Sequence, residues 1–118
     1  MIVKRIVTNI YGADPSAAKA FYGDIFGLDV LMDFGWIVTY GSSADTRPQL
    51  SIMQERGSGT PVPDITIEVD DLDAVMERIN KSGFAIEYGP ANEPWGGVRR
   101  FFVRDPFGKL VNVMCHIE

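Results

Sequence analysis

The sequence predicts an α+β fold: two tandem βαβββ modules whose strands form a curved, mostly antiparallel sheet around a cup, with the helices on its outer face. Three observations carry this. Two helix signatures, Asp14 to Gly27 and Asp71 to Gly83, each have an acidic cap, Asp14 for the first and Asp70 or Asp71 for the second, and close on a glycine. Each follows one alternating strand and precedes three short strand-like segments. One Gly- and Pro-rich stretch, RGSGTPVP at 56–63, separates the halves. The halves share pattern rather than residues. The expected organisation is a single domain, 1–118, with module one at about 1–55, a linker at 56–63 and module two at about 64–118.

The elements follow in order. Residues 2–10 alternate, with Ile6, Thr8 and Ile10 on one face. Asp14 caps the first helix, Pro15 fits its first turn, and Ala18, Phe21, Tyr22 and Ile25 fall on one buried stripe. Strands are expected at about 28–33, 35–41 and 49–55. In the second half, residues 64–69 alternate. Leu72, Val75, Met76 and Ile79 form the stripe of the second helix. Strands follow at about 84–88, 98–104 and 109–116. The Asp105-Pro106-Phe107-Gly108 turn joins the last two. Gly89 to Gly97, GPANEPWGG, is expected as a loop that exposes Trp95 at an interface or as a ligand lid, or folds it back over its own sheet.

Composition narrows the function classes. The 118 residues are 46% hydrophobic and 23% charged, the balance of a globular domain rather than a disordered chain. No apolar run reaches the ~18 residues of a membrane span, and no signal-peptide pattern opens the chain. The net charge of −5 and the absence of a basic face argue against a nucleic-acid partner. A lone Cys115 allows no internal disulfide and suggests a cytoplasmic location.

Strand alternation assigns side chains to the cup. In the last strand Val111, Val113 and Cys115 face the helix, while Leu110, Asn112, Met114 and His116 face the cup. If the hairpin pairs Arg104 with Lys109, then Phe101 lies opposite Asn112 and Arg99 opposite Met114, both on the cup side. Asp64, Thr66 and Glu68 join them from the fifth strand, and Arg5, Val7 and Asn9 from the first. Trp36, Val38, Tyr40, Ser51 and Met53 are placed there from the first hairpin.

The stretches FYGDIFGLDV, ITIEVDDLDAV and RRFFVRDPFGKLVNV resemble the vicinal-oxygen-chelate superfamily, also called the glyoxalase/bleomycin-resistance/dioxygenase superfamily. The resemblance covers nearly the whole chain. It implies a divalent metal held by a His on the first strand, a His opening the strand after the linker, and a Glu on the last strand. Those positions are Val7, Asp64 and Asn112 here, so only one can be a strong ligand and no cofactor is expected. The EPWG stretch resembles the segment flanking the ligand groove of dimeric bleomycin-resistance proteins. The expected function is therefore sequestration of an aromatic, cationic small molecule in a homodimer groove, without metal. Its expected contacts are Asn9, Trp36, Tyr40, Ser51, Asp64, Glu68, Trp95, Arg99, Phe101 and Asn112. The alternative is a lyase, isomerase or dioxygenase with an atypical site using Asp64 or Glu68 as base.

Overall fold

The computed structural model describes residues 1–117. It divides into two compact units: Val7–Val62, and Pro63 onward together with Met1–Ile6. Strand β1 (Val3–Tyr11) therefore contributes its first residues to the C-terminal unit and the rest to the N-terminal unit.

The N-terminal unit holds β2 (Asp29–Asp33), β3 (Ile37–Gly41) and β4 (Gln49–Met53). Its strand order is β2-β3-β4-β1, with β4 parallel to β1 and the other pairs antiparallel. The C-terminal unit holds β5 (Ile65–Val69), β6 (Ile86–Glu93), β7 (Val98–Arg104) and β8 (Leu110–His116). Its order is β6-β7-β8-β5, with β8 parallel to β5. Within each unit the first strand pairs in parallel with the last, and the other two continue antiparallel. The pattern repeat in the sequence is thus a repeat of topology.

The two helical segments differ. Helix α1 (Leu72–Ser82) forms as the sequence predicts. Asp71 accepts the amide of Ala74, and Gly83 closes the helix at φ +82°, where a side chain would be strained. The first segment is instead a 3-10 turn (Pro15–Ala18) followed by a π-helical stretch (Lys19–Ile25). Its wider turn breaks the i, i+3, i+4 stripe. Ala18 and Tyr22 pack on Val38, Tyr40 and Ile52, whereas Phe21 and Ile25 emerge exposed.

The 56–63 segment, the expected linker, is ordered by hydrogen bonds of its own. The Arg56 amide donates to the Thr60 carbonyl, Thr60 closes a turn on Gly57, and Glu55 accepts the Gly59 amide. The expected Gly89–Gly97 loop is strand as far as Glu93, carried through two register shifts against β7. Glycine suits position 89 for two reasons. It sits at φ +80°, and a Cβ would lie 2.5 Å from the Arg100 carbonyl oxygen.

Candidate functional site

In the C-terminal unit, α1 covers one face of the sheet. Val69, Leu72, Phe101, Val103, Val111 and Val113 form the core there, with Cys115 packed beside them. The opposite face is unusually polar for a buried surface. Thr66, Asn112, Phe102 and Tyr88 lie in one row across β5, β8, β7 and β6. Glu68, Met114 and Arg100 form the next row. Thr66, Glu68, Glu93, Arg100 and Asn112 are all buried.

Three arrangements order this face. First, Glu68 is held between two partners. Its Oε1 accepts from Arg5 Nε, and its Oε2 lies 2.8 Å from His116 Nδ1. Burial pushes the Glu68 carboxyl up, but the bonds from His116 and Arg5 outweigh it and hold the group below its ordinary value. A carboxylate fixed this way is a poor proton acceptor. Second, Arg100 has no exposed surface (0%). Its guanidinium carbon lies 5.1, 4.9 and 4.9 Å from the ring centroids of Tyr88, Trp95 and Phe102. Its Nε donates to Glu93 Oε1 at 3.3 Å, and Tyr88 Oη donates to the same oxygen at 2.6 Å. That bond, with burial second, raises the Tyr88 pKa. Third, Asn112 is wholly buried (0%) and donates from Nδ2 to Thr66 Oγ1 at 3.2 Å, while its Oδ1 accepts from nothing. A buried carbonyl without a donor is costly.

Several sequence expectations for this unit are corrected by one residue of register. The β7–β8 hairpin pairs Arg104 with Leu110, not Lys109. Arg100 thus stands opposite Met114 and Phe102 opposite Asn112. Arg99 and Phe101 turn to the other face: Arg99 pairs with Asp73 of α1 at 2.9 Å, and Phe101 is core beneath α1. The slip flips every side chain of the strand. The pattern RRFF reads equally well in either phase, so the sequence carried no signal for Arg100 and Phe102. Trp95 is half-buried against Arg100 rather than projecting from a loop. Asp64 is exposed. Its Oδ2 accepts the Leu110 amide at 2.9 Å, which ties the start of β5 to β8. Glu68 and Asn112 lie on the expected face.

In the N-terminal unit, Ser51 and Thr39 share a buried hydroxyl bond of 2.7 Å on the face away from the helical segment, with Asn9 beside Ser51 in register. Tyr40 and Val38 are corrected to the helix side. Tyr40 packs near Tyr22, and burial, reinforced by Asp33 and Asp24, raises its pKa. The run IVTY is apolar in both phases apart from Thr39, which left the face ambiguous. Trp36 is half-buried just before β3, with its ring 6.0 Å from that of Phe34.

A family model described as glyoxalase/bleomycin resistance protein/dioxygenase superfamily matches residues 4–113. The chain belongs to this superfamily. Solved structures agree on the fold. A glyoxalase-superfamily member from Vibrio splendidus 12B01 is 21% identical with a TM-score of 0.68, over 94% of this chain and 97% of that one. The methylmalonyl-CoA epimerase of Mycobacterium tuberculosis is 19% identical with a TM-score of 0.71, over 98% and 90%. A chain described as the NAD-dependent benzaldehyde dehydrogenase of Legionella pneumophila is 14% identical with a TM-score of 0.77, over 96% and 100%. No curated protein matches the chain in sequence.

The metal positions that the superfamily resemblance implies do not fit a metal here. Val7 has no donor atom. Asp64 is bound to the Leu110 amide, and Asn112 is neutral, with its amide nitrogen bound to Thr66. Zinc or iron needs imidazole, thiolate or carboxylate at most corners. Among the described residues, no three His, Cys, Asp or Glu side chains form a group able to hold a metal ion. No described helix is long and apolar enough to cross a membrane.

Proposed function

We propose that this superfamily member is a metal-independent binding protein of the bleomycin-resistance type. It sequesters an aromatic, amine-bearing cationic small molecule, works as a homodimer and acts in the cytoplasm. The observation that carries this reading is the unpaired Oδ1 of Asn112 in the middle of the polar face. A protonated amine is the strongest N–H donor such an acceptor can meet. Half-buried Tyr88, in the same row, offers aromatic surface to the ligand's ring. The exposed Phe21, Ile25, Phe26, Val30 and Leu31 of the N-terminal unit support self-association.

Calorimetric titration with bleomycin and with proflavine, a planar cation, tests this. Saturable binding, together with lowered drug sensitivity on expression, is the expected result. No heat with either ligand and unchanged sensitivity would sink it.

A second reading, an enzyme, is favoured by one feature. The bound Glu68 carboxylate orients His116, whose ring is half-exposed, and an imidazole so held can take a proton through its other nitrogen. Asp64 and Glu68 are themselves poorly suited as bases, since both are committed to donors. Stoichiometric metal in protein purified without chelator, or turnover abolished by His116→Ala, would favour the enzyme.

A further inference from the structure

The helix side of the C-terminal unit contains a cavity of about 300 Å³. Val69, Val103, Val111 and Val113 line it from the sheet, and Val75 and Ile79 from α1. Its origin is legible in the residues. Short valines meet across this part of the interface, and the exposed Met1, Val3 and Phe84 stand at its open side. Packing to ordinary interior density would leave no such space.

We propose that this cavity is a binding site for a neutral apolar small molecule, a bicyclic aromatic or an alkyl chain of similar bulk. The volume is about twice that of the ~150 Å³ apolar cavity that takes benzene, and it reaches the lower end of the ~300–1,000 Å³ range of ligand pockets. The walls select against charge. Of the charged groups at its edge, the Met1 ammonium acts on Asp70, and Arg104 donates to Glu87 and to the Gly108 carbonyl. Asp105 accepts the amides of Phe107 and Lys109. Below that rim the valine and isoleucine walls carry no polar side chain, so an ion that reached them would lose hydration without gaining a partner. Water in its depth meets few polar neighbours, so an apolar molecule displaces it at little cost. The cavity lies on the sheet face opposite Asn112, so its occupancy does not depend on the function proposed above.

Titration of the full chain with naphthalene, followed by its fluorescence, tests the assignment, with naphthalene-2-sulfonate as the charged counterpart. Saturable binding of one naphthalene per chain is expected, with the sulfonate weaker by about tenfold or more. Val75→Phe fills the cavity from the helix and should weaken naphthalene by about tenfold while leaving proflavine binding unchanged. Ile79→Phe serves the same purpose should Val75→Phe misfold, and circular dichroism checks each variant. Absence of saturable binding, equal affinity for the sulfonate, or unchanged naphthalene affinity in a folded filling variant would overturn the proposal. So would a dimer that excludes naphthalene and dissociates on Val75→Phe, because the cavity would then hold a second copy.

Discussion

Arg100→Met is the substitution with the largest consequence for the polar face. It removes a buried guanidinium from three aromatic rings and from the Glu93 carboxylate, and it keeps a similar apolar volume. Breaking a buried ion pair from one side costs about 3–5 kcal/mol. For 118 residues the unfolding entropy near the midpoint is about 250 cal/mol/K, so this loss lowers Tm by about 12–20 °C. The paired variant Arg100→Met/Glu93→Leu removes both charges and should recover most of that loss, since apolar replacement of a buried pair is often neutral. Differential scanning calorimetry of the wild type, both single variants and the double variant closes the cycle. A Tm drop under about 4 °C for Arg100→Met, or strictly additive single effects, would refute the reasoning that the pair and its rings organise this face.

Three further predictions follow from the same geometry. Asn112→Leu removes an unpaired buried acceptor, so it should stabilise the ligand-free protein by about 1 kcal/mol and abolish proflavine binding. Chemical denaturation and calorimetry read the two effects. Glu68 has a folded pKa below its unfolded value. Its contribution is therefore present above the unfolded carboxylate range and is lost as pH falls through the folded value. The gap in urea midpoint between wild type and Glu68→Gln should shrink from pH 7 toward about pH 3, and a constant gap would contradict it. Gly89→Ala places a Cβ against the Arg100 carbonyl at positive φ and should cost about 2–3 kcal/mol. A smaller loss in denaturant titration would mean the β6 bulge relaxes freely.

The parts of the molecule that were legible in the sequence are those where one physical signal dominated. Asp71 and Gly83 bracket α1 because cap chemistry is local. The last strand kept its faces because VNVMCH alternates against a valine core, and ITIEV did the same for Glu68. Where alternation was absent, the phase was lost. RRFF and IVTY turned over, moving Arg99, Phe101 and Tyr40 to the helix side and bringing Arg100 and Phe102 to the polar face. The ring cage around Arg100 depends on β6 continuing past Gly89 and Pro90, two residues that normally signal a loop. The roles of Asp64 and His116 were also hidden, because both rest on partners 46 and 48 residues away in the chain.

The central claim is that ligand recognition here needs no metal and runs through Asn112. Calorimetric titration of proflavine into chelator-stripped protein, repeated with added zinc and with Asn112→Leu, tests it most directly. The account predicts equal affinity with and without zinc, and loss of binding in the variant. Binding that appears only with zinc, or that survives in Asn112→Leu, would contradict it.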